Sequence, residues 1–315
     1  MEIIVAMLAG CAIGATVFPA RLSRLNALLQ TVATTLLIFS MGVMLGSRED
    51  FLSELGSVGA ASLAFCLLPT ALSTVLVYAL TRAAFGSQAG VRQGARPAAT
   101  ATDRREDARE PNGEMTLVAC AVGALAFGTC YGLSPITLAP ADWLAHSSDA
   151  ILYALMFFVG ITVGQSKGIL EKIRRYHVKA LVIPAGITVG SLGGGLLASL
   201  LCGTNPAVGC AIGGGMGWYS LTGVVLTDLA GAQAGSIAFL SNLLRELVSF
   251  FSIPLIARRL NYLTCIAPAG ATSEDTTLPM LVKCTNEETV VLAVVNGVVC
   301  SALVPVIVGL LQPLF

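Results

Sequence analysis

Charge is scarce in this sequence. Asp, Glu, Lys and Arg make up 11% of its 315 residues, and 55% are hydrophobic; a soluble domain carries about a quarter charged residues. The shortage excludes an ordinary soluble globular chain and calls for a polytopic membrane protein. Histidine is scarcer still. His146 and His177 are the only two, both at predicted helix edges, so neither an intramembrane Ser-His protease nor an HExxH metalloenzyme has its base or its ligands. No CxxC pair occurs among the nine cysteines, and most of them, Cys11, Cys66, Cys120 and Cys300 included, sit inside apolar runs. That argues against a disulfide framework or a zinc site and reads as small-residue packing. The net charge is zero, which suggests neither a nucleic-acid partner nor a basic surface anchor. "GGGMGW" superficially matches a dinucleotide loop but has no βαβ context, so no cofactor and no enzymatic activity are expected. The opening "MEIIVAMLAG" lacks a basic n-region and reads as a first membrane segment rather than a cleaved signal.

Long apolar runs are what the chain has. They fall at 3–18, 25–45, 58–80, 115–138, 150–164, 178–201, 232–257 and 289–311, which predicts about eight transmembrane helices. Lys and Arg follow the odd-numbered ones (Arg21, Arg24; Arg82 to Arg109; Lys167, Lys172, Arg174, Arg175; Arg258, Arg259, Lys283), while the even gaps carry only Arg48. The positive-inside rule then puts both termini outside the cytoplasm. Residues 86–114, rich in Arg, Ala and Gly, read as a flexible cytoplasmic linker.

A repeat is visible. "MLAGCAIGATV" resembles "TLVACAVGALAF", and the pair Gly42/Gly46 recurs as Gly160/Gly164, each followed about twenty residues later by Pro69 and Pro184. Three helices per copy is an odd number, so residues 1–85 and 115–202 form two inverted three-helix repeats, with a transport module over 203–315. In that module "GTNPAVGCAIGGGMGWYSLTGVVLTDLAG" and "NYLTCIAPAGATSEDTTLPMLVKC" are too polar or broken to be ordinary spans. They read as segments that re-enter the membrane or cross it brokenly, a geometry that survives only when buried in protein or lining water.

The stretch 232–257 lies between them and would extend roughly 39 Å as a helix, enough to cross a hydrocarbon core. It carries Arg245 and Glu246 near its middle, and charge at that depth marks an interior pathway or a pairing with another helix. Asn242, Glu246 and Ser249 share one helical face. Gly215 and Gly217 allow close backbone approach, and Ser220 and Thr276 supply hydroxyls. Asp275 joins Glu246 as a candidate acid, whereas Glu274 reads as a solvated loop residue. Such carboxylates can trade a proton for a cation, with helix N-termini or Arg245 receiving a substrate carboxylate.

The strings "GWYSLTGVVLTDLAG", "FLSNLLRELVSFFSIPLIAR" and "APAGATSEDTTLP" resemble the bacterial lysine exporter family LysO. The resemblance implies a multi-pass inner-membrane exporter of L-lysine and its toxic analogues. It also implies proton antiport and a functional intramembrane acid pair, which falls here on Glu246 and Asp275. L-lysine, protons and the lipid bilayer are the implied partners, and a homo-oligomer is compatible with this. Export of another cationic amino acid, or sodium/proton antiport, stays open on the same acids. A non-transporting membrane sensor using the Arg-rich segment is the reading from another class.

Overall fold

The computed structural model describes residues 2–47, 51–85, 113–134, 148–165 and 181–315. Most of the expected linker, at 86–112, lies outside the described residues, as do Arg48, His146, His177 and the basic cluster at 167–175. The described residues contain α-helices and 3-10 turns and no strand. Among the described residues five helices are long and apolar enough to cross a membrane, over Ser23–Val43, Val58–Ala84, Val182–Cys202, Ala232–Arg259 and Glu287–Leu314; Val5–Thr16 and Ala150–Thr162 are apolar but shorter. Many large apolar side chains face outward, among them Leu8, Leu28, Phe127, Leu200, Val224 and Leu310. That surface suits lipid.

The chain divides into two compact units, residues 1–51 with 96–169 and residues 52–95 with 170–315. The first contains α1 (Glu2–Thr16), α2 (Ser23–Gly46), α4 (Gly113–Gly132) and α5 (Ser148–Gly164). Its helices pack through glycine pairs, the contact that lets backbones approach where no hydrophobic driving force exists between helices in lipid. Gly10 and Gly14 of α1 lie against α5 at Phe157 and Ile161, and Gly160 and Gly164 return the contact at Met7 and Cys11. Gly42 and Gly46 of α2 meet Gly128 and Gly132 of α4 in the same reciprocal way. A Cβ added at any of these eight positions would stand 2.1 to 2.6 Å from a carbonyl oxygen. Between α2 and α5 the contact is polar: the side-chain amides of Asn26 and Gln30 donate to the Phe158 carbonyl and to Thr162 Oγ1 at 2.7–3.0 Å.

The second unit holds α3 (Phe51–Phe85, all but its first residue), α6 (Val182–Cys202), α7 (Pro206–Gly214), α8 (Tyr219–Ala230), α9 (Ala232–Arg259), α10 (Ile266–Ala269), α11 (Leu278–Cys284) and α12 (Glu287–Leu311). Local signals set the ends of these helices. Gly203 closes α6 in the left-handed conformation, φ 68°. Asn205 caps α7 by accepting from Ala207 N at 2.8 Å, with Pro206 in the first turn. Asn286 caps α12 through Thr289 N at 2.9 Å, and Glu287 and Glu288 complement its positive end. Helices α3 and α6 approach closely because Gly190 and Gly194 lie against Ser73 and Pro69. Val58, Phe65, Ala198, Ile212, Leu226, Ile237 and Val308 gather α3, α6, α7, α8, α9 and α12 around one apolar cluster.

These contacts give a direct test. Gly160→Leu should lower stability by about 1–3 kcal/mol or more, as overpacking does. Gly123→Leu on α4 should leave it nearly unchanged, since a Cβ there meets nothing within 4 Å. Thermal unfolding in detergent reads the difference, and equal melting of the two variants would contradict the packing.

Candidate functional site

Both broken segments expected in the second unit are broken helices in the structure, and they meet. The first is α7, an interruption at residues 215–218, then α8. The second runs through a 3-10 turn at Tyr262–Cys265, α10, a 3-10 turn at Gly270–Glu274, and α11. An interrupted helix leaves main-chain donors and acceptors without partners, which in a dry interior must be met by something else. Here each break meets the other: Ala271 N donates to the Met216 carbonyl at 2.9 Å. Glycine makes the approach feasible. Gly217 and Gly270 have φ of 99° and 61°, and a Cβ on Gly270 would stand 2.3 Å from the Met216 oxygen. Met216 itself has φ 49°, a costly conformation for a side-chain-bearing residue that the surrounding contacts hold in place.

Two asparagines complete the bonding. Asn242 on α9 accepts from Gly217 N at 2.8 Å and donates to the carbonyls of Ile212 (3.0 Å) and Ala238 (2.9 Å), so it spans the first break. Gly215 has no side chain where Asn242 passes: a Cβ there would lie 2.8 Å from the amide nitrogen. Asn296 on α12 holds the second break, donating to the Gly270 carbonyl at 2.9 Å and Ser273 Oγ at 3.0 Å. Sequence reasoning missed Asn296, although an amide in the middle of an apolar helix was the available signal.

Arg245 and Glu246 are each 1% exposed, and they engage different surroundings. Arg245 Nε donates to the Pro268 carbonyl at 3.1 Å, one terminal nitrogen to Ser191 Oγ at 2.9 Å, and the other to the Ala267 carbonyl (3.3 Å) and Ser73 Oγ (3.4 Å). It fastens α10 to α3 and α6 through neutral oxygens. Glu246 has no hydrogen-bond partner on either carboxylate oxygen. The Asp275 carboxyl acts on it by charge, and the Thr276 hydroxyl close to it donates to Asp275 instead, at 3.3 Å. Asp275, half-buried at the end of the second 3-10 turn, accepts from Thr276 N at 2.6 Å and Thr276 Oγ1 at 3.3 Å. Glu274 differs from the solvated loop acid expected of it. It is half-buried, accepts from Ser301 Oγ at 3.1 Å and packs against Gly297 of α12, where a Cβ would clash with its own at 2.4 Å. Of the residues singled out in the sequence, Asn242, Gly215, Gly217, Arg245, Glu246, Asp275 and Thr276 all belong to this crossing or to the helix behind it. Ser220 stands exposed in the first turn of α8, outside the bonded crossing.

Residues 122–312, more than half of the chain, match the protein family described as Lysine exporter LysO. The chain belongs to the LysO family. Both broken helices, α9 and α12 up to its last residue fall within the matched stretch, so the whole LysO match of the second half covers the site just described. Among LysO relatives, the Escherichia coli (strain K12) protein named Lysine exporter LysO is 33% identical over 190 residues, 59% of this chain. The chain spans 61% of that protein's length. A Haemophilus influenzae (strain ATCC 51907 / DSM 11121 / KW20 / Rd) protein named Putative lysine exporter is 37% identical over 169 residues, 53% of this chain and 86% of that protein. No solved structure matches the chain. With five helices long and apolar enough to cross a membrane among the described residues, this LysO member is a multi-pass membrane protein.

Asn242→Ala should unpair Gly217 N and the Ile212 carbonyl, at about 1–3 kcal/mol for each buried group left without a partner. Ser220→Ala should be nearly silent. Thermal melting of the two variants in detergent checks this, and an unchanged melting point for Asn242→Ala would remove its role as the pin of the first break.

Proposed function

We propose that this chain is a secondary transporter that exports L-lysine and its toxic analogues from the cytoplasm in exchange for protons. The observation that carries the reading is Glu246: a carboxylate 1% exposed, without a hydrogen-bond partner, beside Asp275 at the crossing of two broken helices. A buried carboxylate without a partner is costly, and a proton or an ammonium group relieves that cost. Binding either one, but not both together, couples their movements. Glu246 and Asp275 alternately take a proton and the lysine ammonium, while Gly215, Gly217, Asn242 and Thr276 shape the site, Ser220 offers an exposed hydroxyl outside the crossing, and Arg245 braces the site from behind.

The same reading includes an inner-membrane protein of about eight transmembrane helices with both termini outside the cytoplasm. It places an Arg-rich cytoplasmic linker at 86–114 and inverted three-helix repeats at 1–85 and 115–202. Support for the repeats comes from the exchange of glycine pairs: α1 packs on α5 as α4 packs on α2, the pattern expected if a pseudo-two-fold relates the two copies. The names of the two relatives support the substrate and the direction.

Counterflow of labelled lysine in proteoliposomes, with and without an imposed pH gradient, tests the proposal. The native protein should show gradient-dependent flux, and Glu246→Gln and Asp275→Asn should each lose it by about a hundredfold, the scale of a deleted proton-transfer group. Normal export by Glu246→Gln would refute the mechanism. A strict sodium requirement for flux would replace the proton with a metal ion as the coupled species.

A further inference from the structure

Glu274 differs from the other two acids of the crossing in what holds it. One of its oxygens accepts from Ser301 Oγ at 3.1 Å, while the other, Oε2, is buried with no partner. The room for it is built into the neighbouring helix: a Cβ on Gly297 would lie 2.4 Å from Glu274 Cβ and 2.7 Å from its Cγ. A side chain meant for bulk solvent needs no such space. Asp275, its neighbour in the chain, is the charge that acts on both Glu274 and Glu246. An independent feature marks this acidic group as a place for a ligand: Glu246 is 1% exposed and neither of its oxygens has a hydrogen-bond partner. The other groups at these acids include Cys300 and Ser301 from α12 and the Thr276 hydroxyl beside Asp275; Arg245, next to Glu246 in the chain, directs its hydrogen bonds to carbonyls and hydroxyls. Outside Glu246, Glu274 carries the only carboxylate oxygen that is both buried and unpartnered among the described residues.

We propose that Glu274 is a proton-transfer residue of this transporter, exchanging a proton with Asp275 through its free oxygen while Ser301 and Gly297 hold it in place. This rests on the proton-antiport reading above. In the step, the O–H bond of protonated Asp275 breaks and its electron pair stays on the Asp275 oxygen. A new O–H bond forms on Glu274 Oε2; on release that bond breaks, its electron pair stays on Glu274, and water takes the proton as hydronium. The reverse order loads Asp275. No oxidant or co-reactant is needed. A carboxyl in this role speeds proton delivery and makes no contact that lysine requires.

Two transport modes of the same protein separate that role from any other. Lysine–lysine counterflow at equal pH on both sides moves substrate with no net proton transfer, whereas export against a pH gradient must move protons on every cycle. In proteoliposomes, Glu274→Gln should lower gradient-driven lysine flux by about tenfold or more, while counterflow stays within about twofold of native and its half-saturating lysine concentration is unchanged. Glu274→Asp, which keeps a carboxyl, should recover most of the gradient-driven rate. Loss of both modes in Glu274→Gln alongside normal rates in Glu274→Asp would overturn the relay and make Glu274 a lysine ligand. Normal rates in both modes would overturn it as well. If Glu274→Gln does not fold, Glu274→Asp and Ser301→Ala still decide: the relay requires gradient-driven flux to fall more than counterflow in Ser301→Ala, and parallel changes refute it. The native protein is the check on the underlying reading, since absence of lysine counterflow there would defeat the proposed function itself, whatever the variants did.

Discussion

A carbonyl from one interrupted helix and an amide from the other meet in the interior of the second unit, and the candidate site depends on that meeting. Met216 and Ala271 satisfy each other where both are buried, and each break is then pinned by an asparagine from the long helix beside it. The arrangement answers the main constraint on a chain in lipid: an unwound main chain is tolerated only where protein replaces its lost partners. Every special feature nearby serves that end, including two glycines at positive φ, a strained Met216 and the missing side chain at Gly215. Regular helix has no spare polar atoms to offer a substrate; an interrupted one does.

Both units use close glycine packing, and they differ in the side-chain ties added to it. In the first, α1, α2, α4 and α5 associate backbone to backbone through reciprocal glycine pairs, with Asn26 and Gln30 as its polar contact. In the second, helices are tied by side chains that reach across elements: Asn242, Asn296, Arg245, and Asn261 donating to Thr81 at 3.2 Å. Close main-chain packing specifies one arrangement. Side-chain ties concentrate polar atoms where chemistry is wanted.

Much of this was legible in the sequence because membrane residence simplifies the code. Apolar runs marked the long helices, a run of glycines marked one break, and a polar stripe at helical spacing put Asn242, Glu246 and Ser249 on a common, buried face. What was not legible is what depends on partners distant in the chain. Adjacent residues on a helix point in different directions, so Arg245 and Glu246 had separate destinations, but nothing local said that Arg245 would reach Ser73, 172 positions earlier. Glu274 looked like a loop acid because the room that shelters it comes from Gly297 on another helix. Asn296 stood in plain view and went unweighed beside the charged residues.

The way Arg245 is held has an electrical consequence. All of its hydrogen bonds go to uncharged oxygens, so its positive charge is spread over dipoles but is not cancelled by a bonded anion. Its neighbour Glu246 therefore sets the charge of this pair: zero when that carboxyl is ionised, and one positive charge when it is protonated. In a helix long enough to span a bilayer, a unit charge carried across the full membrane potential is worth about 2.3 kcal/mol per 100 mV. In the proposed cycle, loading and unloading Glu246 therefore changes the charge of this pair by one unit, which is the quantity a membrane voltage acts on.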